Sequence, residues 1–357
     1  MTLTIDAPAH VGEAPGGPRP LNTPVVLEVK DLKTHFSLRE GNVPAVDGVS
    51  YRLYHGRTLG VVGESGCGKS VTAQSVLRIV PRPGKIVGGE ILLHRDRGNG
   101  ARETVDLTSL DPTGKEIRAI RGNEIAYIYQ EPMSALSPVH TIGKHITEVI
   151  KLHQKVGDEQ ARAIAIDTLR RVGLPRADEV LTRYPHQLSG GMRQRAVIGI
   201  ALACRPAILI ADEPTTALDV TTEAVILDLL RALQNDLGMA IQIITHNLGV
   251  VAEMADEVVV MYLGRQVEQA PVAELFHNPL HPYTKALLKS MPKLGRKTAE
   301  RLESIKGMVP DPFSIPKGCA FHTRCPYYLA GTACDAPEWR EVTPNHWVRC
   351  SRAEELA

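Results

Sequence analysis

Residues 58–80 read TLGVVGESGCGKSVTAQSVLRIV. The apolar run 58–62 has the length and branching of a buried strand, and the residues after Ser70 follow helical spacing. Between them, Gly63-Glu64-Ser65-Gly66-Cys67-Gly68-Lys69-Ser70 fits G-x-x-x-x-G-K-[ST] with the strand before and the helix after that this pattern requires. Its glycines let the backbone curl so that successive N–H groups converge on phosphate oxygens, and the helix start adds a positive dipole end. Gly63, Ser65, Gly66, Cys67, Gly68, Lys69, Ser70 and Val71 are therefore the expected nucleotide contacts. Lys69 is placed to reach the β- and γ-phosphates, and the Ser70 hydroxyl to ligate Mg²⁺.

Outward from this loop, short apolar runs at 25–29, 124–129, 207–211, 240–244 and 257–262 alternate with helical periodicity at 70–80, 143–154, 158–172, 190–204, 221–235 and 281–290. Strands of about five residues that are apolar throughout belong to a sheet covered on both faces and mostly parallel in its core. The fold class is α/β, a P-loop core with a mixed sheet. Residues 131–187 carry helical signals alone and predict a helical insertion. Residues 1–24, rich in Pro and Gly, predict a flexible tail. Beyond about residue 291 the chain is punctuated by proline and holds four of its six cysteines, which suits a small loop-rich appendage better than more sheet.

A second chemical signal is the apolar strand Ile208-Leu209-Ile210-Ala211 ending in Asp212 and Glu213. Asp212 is placed to hold Mg²⁺ through water, and Glu213 to accept a proton from an attacking water.

Composition narrows the partners. With 41 Lys+Arg against 40 Asp+Glu and only 4% aromatic residues, the chain has neither the basic excess nor the stacking surface of a nucleic-acid binder. Its most apolar stretch, 237–252, carries Gln242, Thr245, His246 and Asn247 and does not read as a membrane span. The start MTLTIDAPAH lacks a basic segment followed by an apolar core, so no secretory signal is expected and the chain should stay in the cytosol.

Between the two acidic and phosphate motifs lies Leu188-Ser189-Gly190-Gly191-Met192, and with it the chain resembles the ATP-binding cassette (ABC) ATPases over about residues 25–290. Gln130, Ala217-Leu218-Asp219 and His246 follow in the family's order, and Met192 stands where Gln is common. The resemblance implies that Ser189, Gly190 and Gly191 contact the γ-phosphate held by a second ATPase subunit, and that Asp219 is also a nucleotide-binding residue. It implies that Gln130 senses Mg²⁺ and water, that His246 bonds the γ-phosphate, and that Phe36 stacks on adenine. The runs 131–138 (EPMSALSP), 45–50 (AVDGVS), 183–192 (RYPHQLSGGM) and 281–288 (HPYTKALL) look like the dipeptide and oligopeptide importer branch. That branch implies two membrane permease subunits, a second ATPase subunit (a paralogue rather than a copy), and indirect work with an extracytoplasmic solute-binding protein. It also implies a peripheral place on the cytoplasmic face of the inner membrane. Nickel, sugars or glutathione could use a nearly identical engine, and a soluble ABC ATPase acting on nucleic acid or ribosomes is the alternative from another class.

Cys319, Cys325, Cys334 and Cys350 are spaced C-x5-C-x8-C-x15-C. Four thiols so close suit an iron–sulfur cluster or zinc, and spacing cannot choose between them. The importer branch carries a similar IPxGCxFHxRCP stretch, in some members resembling a [4Fe–4S] element, so the expectation is a cluster. Zinc stays open, with His322 or His346 as a substitute ligand.

Overall fold

The short apolar runs form the middle of one sheet. β3 (Thr58–Val62), β6 (Ile125–Ile128), β7 (Ile208–Asp212), β8 (Ala240–Ile244) and β9 (Glu257–Tyr262) lie in the order β9-β3-β8-β7-β6, every neighbouring pair parallel. Every residue of β3, β7 and β8 is buried, which is why they read as predominantly apolar stretches. The computed structural model describes residues 23–96, 102–131, 135–216, 218–291 and 305–356. The first 22 residues of the expected tail, Pro132, Met133, Ser134 and Ala217 fall outside them.

The two faces of β7 build different cores. Leu209 and Ala211 join the helices α3 (Ile142–His153), α4 (Asp158–Arg171), α6 (Gly190–Leu202) and α7 (Val220–Leu237), with the short α5 (Ala177–Val180) between α4 and α6. Ile208 and Ile210 face α1 (Lys69–Val76) and a second, antiparallel sheet. That sheet has the order β2-β1-β4-β5, from β1 (Val25–Leu38), β2 (Gly41–Tyr54), β4 (Gly84–Asp96) and β5 (Arg102–Asp106). A one-turn α2 (Lys115–Ile120) follows it.

The C-terminal part departs from expectation. After α8 (Leu248–Met254), β10 (Arg265–Pro271) turns back antiparallel to β9; α9 (Val272–His277) and α10 (Pro282–Lys289) follow. The Cys-bearing extension then returns to the main sheet, β12 (His346–Val348) pairing with β10 and β11 (Arg340–Thr343) with β12. The described part of the extension is loop-rich, as expected, but its two short strands join the main sheet, where a buried carboxylate gathers them in. Glu268 of β10, 0% exposed, accepts hydrogen bonds from Leu280 N at 2.7 Å and His281 N at 2.9 Å, and its Oε1 lies 2.8 Å from His346 Nε2. Among the described residues no helix is long and apolar enough to cross a membrane.

His281 caps α10 through Nδ1, which accepts from Tyr283 N at 3.0 Å. Burial lowers its pKa to about 4, against the opposing pull of the Glu268 charge. Unfolded, the ring takes a proton near pH 6.5; folded, it resists down to about 4, so stability must fall as pH drops through that window. The loss attributable to this ring is of order 3 kcal/mol. In His281→Asn, where the side-chain oxygen can still cap, urea unfolding between pH 7 and 4 should show a shallower decline than the parent. Parallel declines would remove His281 as the cause.

Candidate nucleotide site

The loop after β3 is closed by contacts that only glycine allows. A Cβ on Gly63 would sit 2.2 Å from Met261 O and one on Gly68 2.1 Å from Ala45 O, and both residues have φ in the left-handed range, 151° and 99°. Lys69 opens α1 at 6% exposure, with its ammonium folded back to donate to Gly63 O at 2.8 Å and Glu64 O at 3.1 Å. The Cys67 thiol beside it is buried, and burial raises its pKa.

At the end of β7, Asp212 is 4% exposed. Its Oδ2 accepts from the Tyr127 hydroxyl of β6 at 2.7 Å, and Oδ1 has no hydrogen-bond partner among the described residues. Burial pushes the Asp212 carboxyl above its ordinary range, while the Tyr127 and Ser70 hydroxyls pull it back. A buried carboxylate oxygen with no partner, next to a serine hydroxyl at the phosphate loop, fits Mg²⁺, which takes one or two carboxylates and fills its remaining positions from phosphate and water. Tyr127 went unnoticed in the sequence; the signal was a hydroxyl inside an otherwise apolar strand.

The next residue gathers three more groups. Glu213 has φ 49°, a left-handed conformation uncommon for a non-glycine residue and often found at functional sites. Its Oε2 accepts from Gln130 Nε2 at 2.9 Å and Thr216 Oγ1 at 2.8 Å, and its Oε1 from His246 Nδ1 at 3.0 Å. Burial raises the Glu213 pKa, but the His246 and Thr216 bonds outweigh it and leave the carboxylate lowered and ionised. Gln130, Glu213 and His246 thus come from the ends of three strands to one point. Thr216 was not anticipated.

Ser189 and Gly190 are exposed where α6 begins, Ser189 Oγ capping the helix by accepting from Met192 N at 3.3 Å. Among the described residues no hydrogen bond joins them to the phosphate loop. Asp219 caps α7, accepting from Thr222 N at 2.9 Å and from the Thr221 and Thr222 hydroxyls. These bonds, Thr221 first, lower its pKa to about 2. Phe36 lies half-buried in β1 with its ring against Gly84, where an added Cβ would come within 2.7 Å of it. Leu136 is buried in the helical core.

The expected iron–sulfur or zinc site is not there. Cys319, Cys325, Cys334 and Cys350 do line one cavity, but its volume is about 20 Å³, room for little more than a water. Among the described residues no three of His, Cys, Asp or Glu are grouped to hold a metal. Burial pushes the Cys319 thiol up to about 11 and raises Cys325 and Cys350, whereas at Cys334 burial is outweighed by hydrogen bonds, which lower the thiol. His346 is committed to Glu268 instead. The relatives, too, are named only as ATP-binding proteins of peptide transport.

Residues 46–216 match the family model "ABC transporter", and residues 267–334 match "Oligopeptide/dipeptide transporter, C-terminal region". A putative peptide import ATP-binding protein of Brucella melitensis is 47% identical over 93% of this chain and 98% of its own length. The oligopeptide transport ATP-binding protein AppD of Bacillus subtilis is 46% identical, covering 92% of this chain and 97% of its own. A solved dimeric bacterial ABC transporter cassette aligns with TM-score 0.59 at 25% identity, over 69% of this chain and 98% of that one. With its phosphate loop, paired acids and C-terminal region all accounted for, the chain belongs to the ABC transporter ATPases, in the oligopeptide/dipeptide transporter branch.

Proposed function

We propose that the chain powers uptake of dipeptides and oligopeptides by hydrolysing ATP at a site shared between two ATPase subunits. The observation that carries this reading is the convergence of Gln130, Thr216 and His246 on an ionised Glu213, one residue beyond a buried Asp212. Residues 25–290 act as the nucleotide-binding domain, 131–187 as its helical insertion, and 291–357 as the C-terminal extension.

Residues 63–71 cradle the phosphates, and Lys69 turns from the loop carbonyls to the β- and γ-phosphates; Phe36 stacks on adenine. Ser70 and Asp212 would hold Mg²⁺, with Gln130 in reach, and the ion would supply positive charge against the triphosphate. Glu213 takes a proton from the attacking water, and His246 leaves it to bond the γ-phosphate. Ser189, Gly190 and Gly191 of one subunit cap the triphosphate of the other from an exposed helix start, with Asp219 alongside. ATP thereby draws two subunits together and hydrolysis releases them. Gln130, following β6, transmits that closure through the helical insertion to two membrane permease subunits at the cytoplasmic face of the inner membrane. The second ATPase subunit is a related chain, and an extracytoplasmic binding protein delivers the solute.

Tagged chain purified from detergent-solubilised membranes should bring down two permease subunits, and cells carrying Lys69→Ala should lose uptake of labelled di- and tripeptides. Intact peptide uptake, or loss confined to a different solute, would overturn the assignment.

A further inference from the structure

Arg324 lies in the extension, 260 positions from the phosphate loop, yet its side chain is 3% exposed and bonded into that loop. Its Nη1 donates to Glu64 Oε2 at 2.6 Å and its Nη2 to Glu64 Oε1 at 3.1 Å, a two-point fork on the second loop residue. The remaining donors are taken by Lys306 O at 3.2 Å, Ile305 O at 3.4 Å and the Tyr262 hydroxyl at 3.4 Å. Tyr283 of α10 accepts from Glu64 N at 2.8 Å. The Glu64 residue is therefore held at its N–H by Tyr283, at its carbonyl by Lys69 and at its carboxylate by Arg324.

We propose that Arg324 is a positioning residue for nucleotide binding: it fixes Glu64 at the start of the loop's curl and neutralises a carboxylate that would otherwise repel the polyphosphate. The proposal rests on the nucleotide site described above. A carboxylate at the second position of a phosphate cradle is the wrong sign for its ligand. Paired with a guanidinium it carries no net charge, and a loop so anchored needs less ordering when ATP arrives. Once Lys69 turns to the phosphates, Tyr283 at the N–H, Cys67 N at the carbonyl (3.3 Å) and Arg324 at the carboxylate remain, and Arg324 is the hold on the side chain. The extension is in this sense part of the ATP site.

The test measures binding of a fluorescent ATP analogue and steady-state ATPase for the full chain as parent, Arg324→Gln, Arg324→Gln with Glu64→Gln, and Lys69→Ala. Arg324→Gln should weaken ATP binding and raise KM about tenfold, the scale of one screened charge pair near a protein surface, with kcat changed less. Adding Glu64→Gln should restore most of the affinity, because the unpaired negative charge is then gone, whatever happens to thermal stability. A double variant as weak as the single one, or unchanged affinity in Arg324→Gln, overturns the proposal. If Arg324→Gln does not fold, Arg324→Lys, which keeps charge but loses the fork, should show a smaller KM rise; parental KM in it refutes the fork. Lys69→Ala keeps the two readings apart: if it still binds ATP, the nucleotide site itself is wrong.

Discussion

Glu213→Gln should bind MgATP as well as the parent and lower turnover by about 10²- to 10⁴-fold, the usual worth of a positioned general base. The amide keeps the size of the side chain, and its single oxygen can keep one of the two bonds that reach different carboxylate oxygens in the parent, from Thr216 at 2.8 Å or from His246 at 3.0 Å. It cannot take the water's proton. The bonds that lower the Glu213 pKa also set its pH behaviour: the base stays ionised through neutrality, so kcat should fall only on the acid side, below the ordinary glutamate range. Trapped ATP in a stable pair of subunits is the expected state of this variant. Turnover within a few-fold of the parent, measured as phosphate release, would remove Glu213 from the role.

Glu268→Ala should cost the fold about 3–5 kcal/mol, the range for breaking a buried charged network by deleting one partner. Two backbone N–H groups, of Leu280 and His281, would lose their acceptors, and His346 would lose its contact with β10. The same deletion loosens the start of α10 and the seat of β12 together, so one side chain fastens both. Urea unfolding followed by tryptophan fluorescence is the direct measurement, since Trp347 lies on β12 and stacks near Trp339. Glu268→Gln, which keeps an acceptor, should lose less. A loss below about 1 kcal/mol for the alanine variant would mean the network is no more than an ordinary hydrogen bond.

What the sequence disclosed and what it hid follow from the same physics. β3, β7 and β8 were plain because burial on both faces leaves them mostly apolar, with one polar residue in each, Thr58, Asp212 and Gln242. β10 was not, because RQVEQAP carries Gln266 and Glu268 to nearly complete burial against polar partners, which erases the hydrophobic pattern. Only 25–29 of β1 stood out, since register shifts after Val29 and Leu32 break the alternation of its long pairing with β2. β11 and β12, four and three residues long, are too short to show a period. At the candidate site, motif order picked out Gln130, Glu213 and His246, which the fold brings together, along with Asp212 beside them and Lys69 at the start of α1. Arg324 and Tyr283 were invisible because their partner, Glu64, lies over two hundred residues away and no local spacing encodes it. The cysteines mislead in the other direction: closeness in sequence suggested a metal, whereas among the described residues no three of His, Cys, Asp or Glu are grouped to hold one.

The pairing of β12 with β10 has a practical consequence for anyone trimming this protein. A version ended near residue 290 would retain every nucleotide motif, yet it would strip the outer neighbour from β10 and expose a row of unsatisfied peptide groups beside the stranded Glu268. Such a fragment is built to stick to its own kind, and it should be recovered as aggregate rather than as a minimal motor.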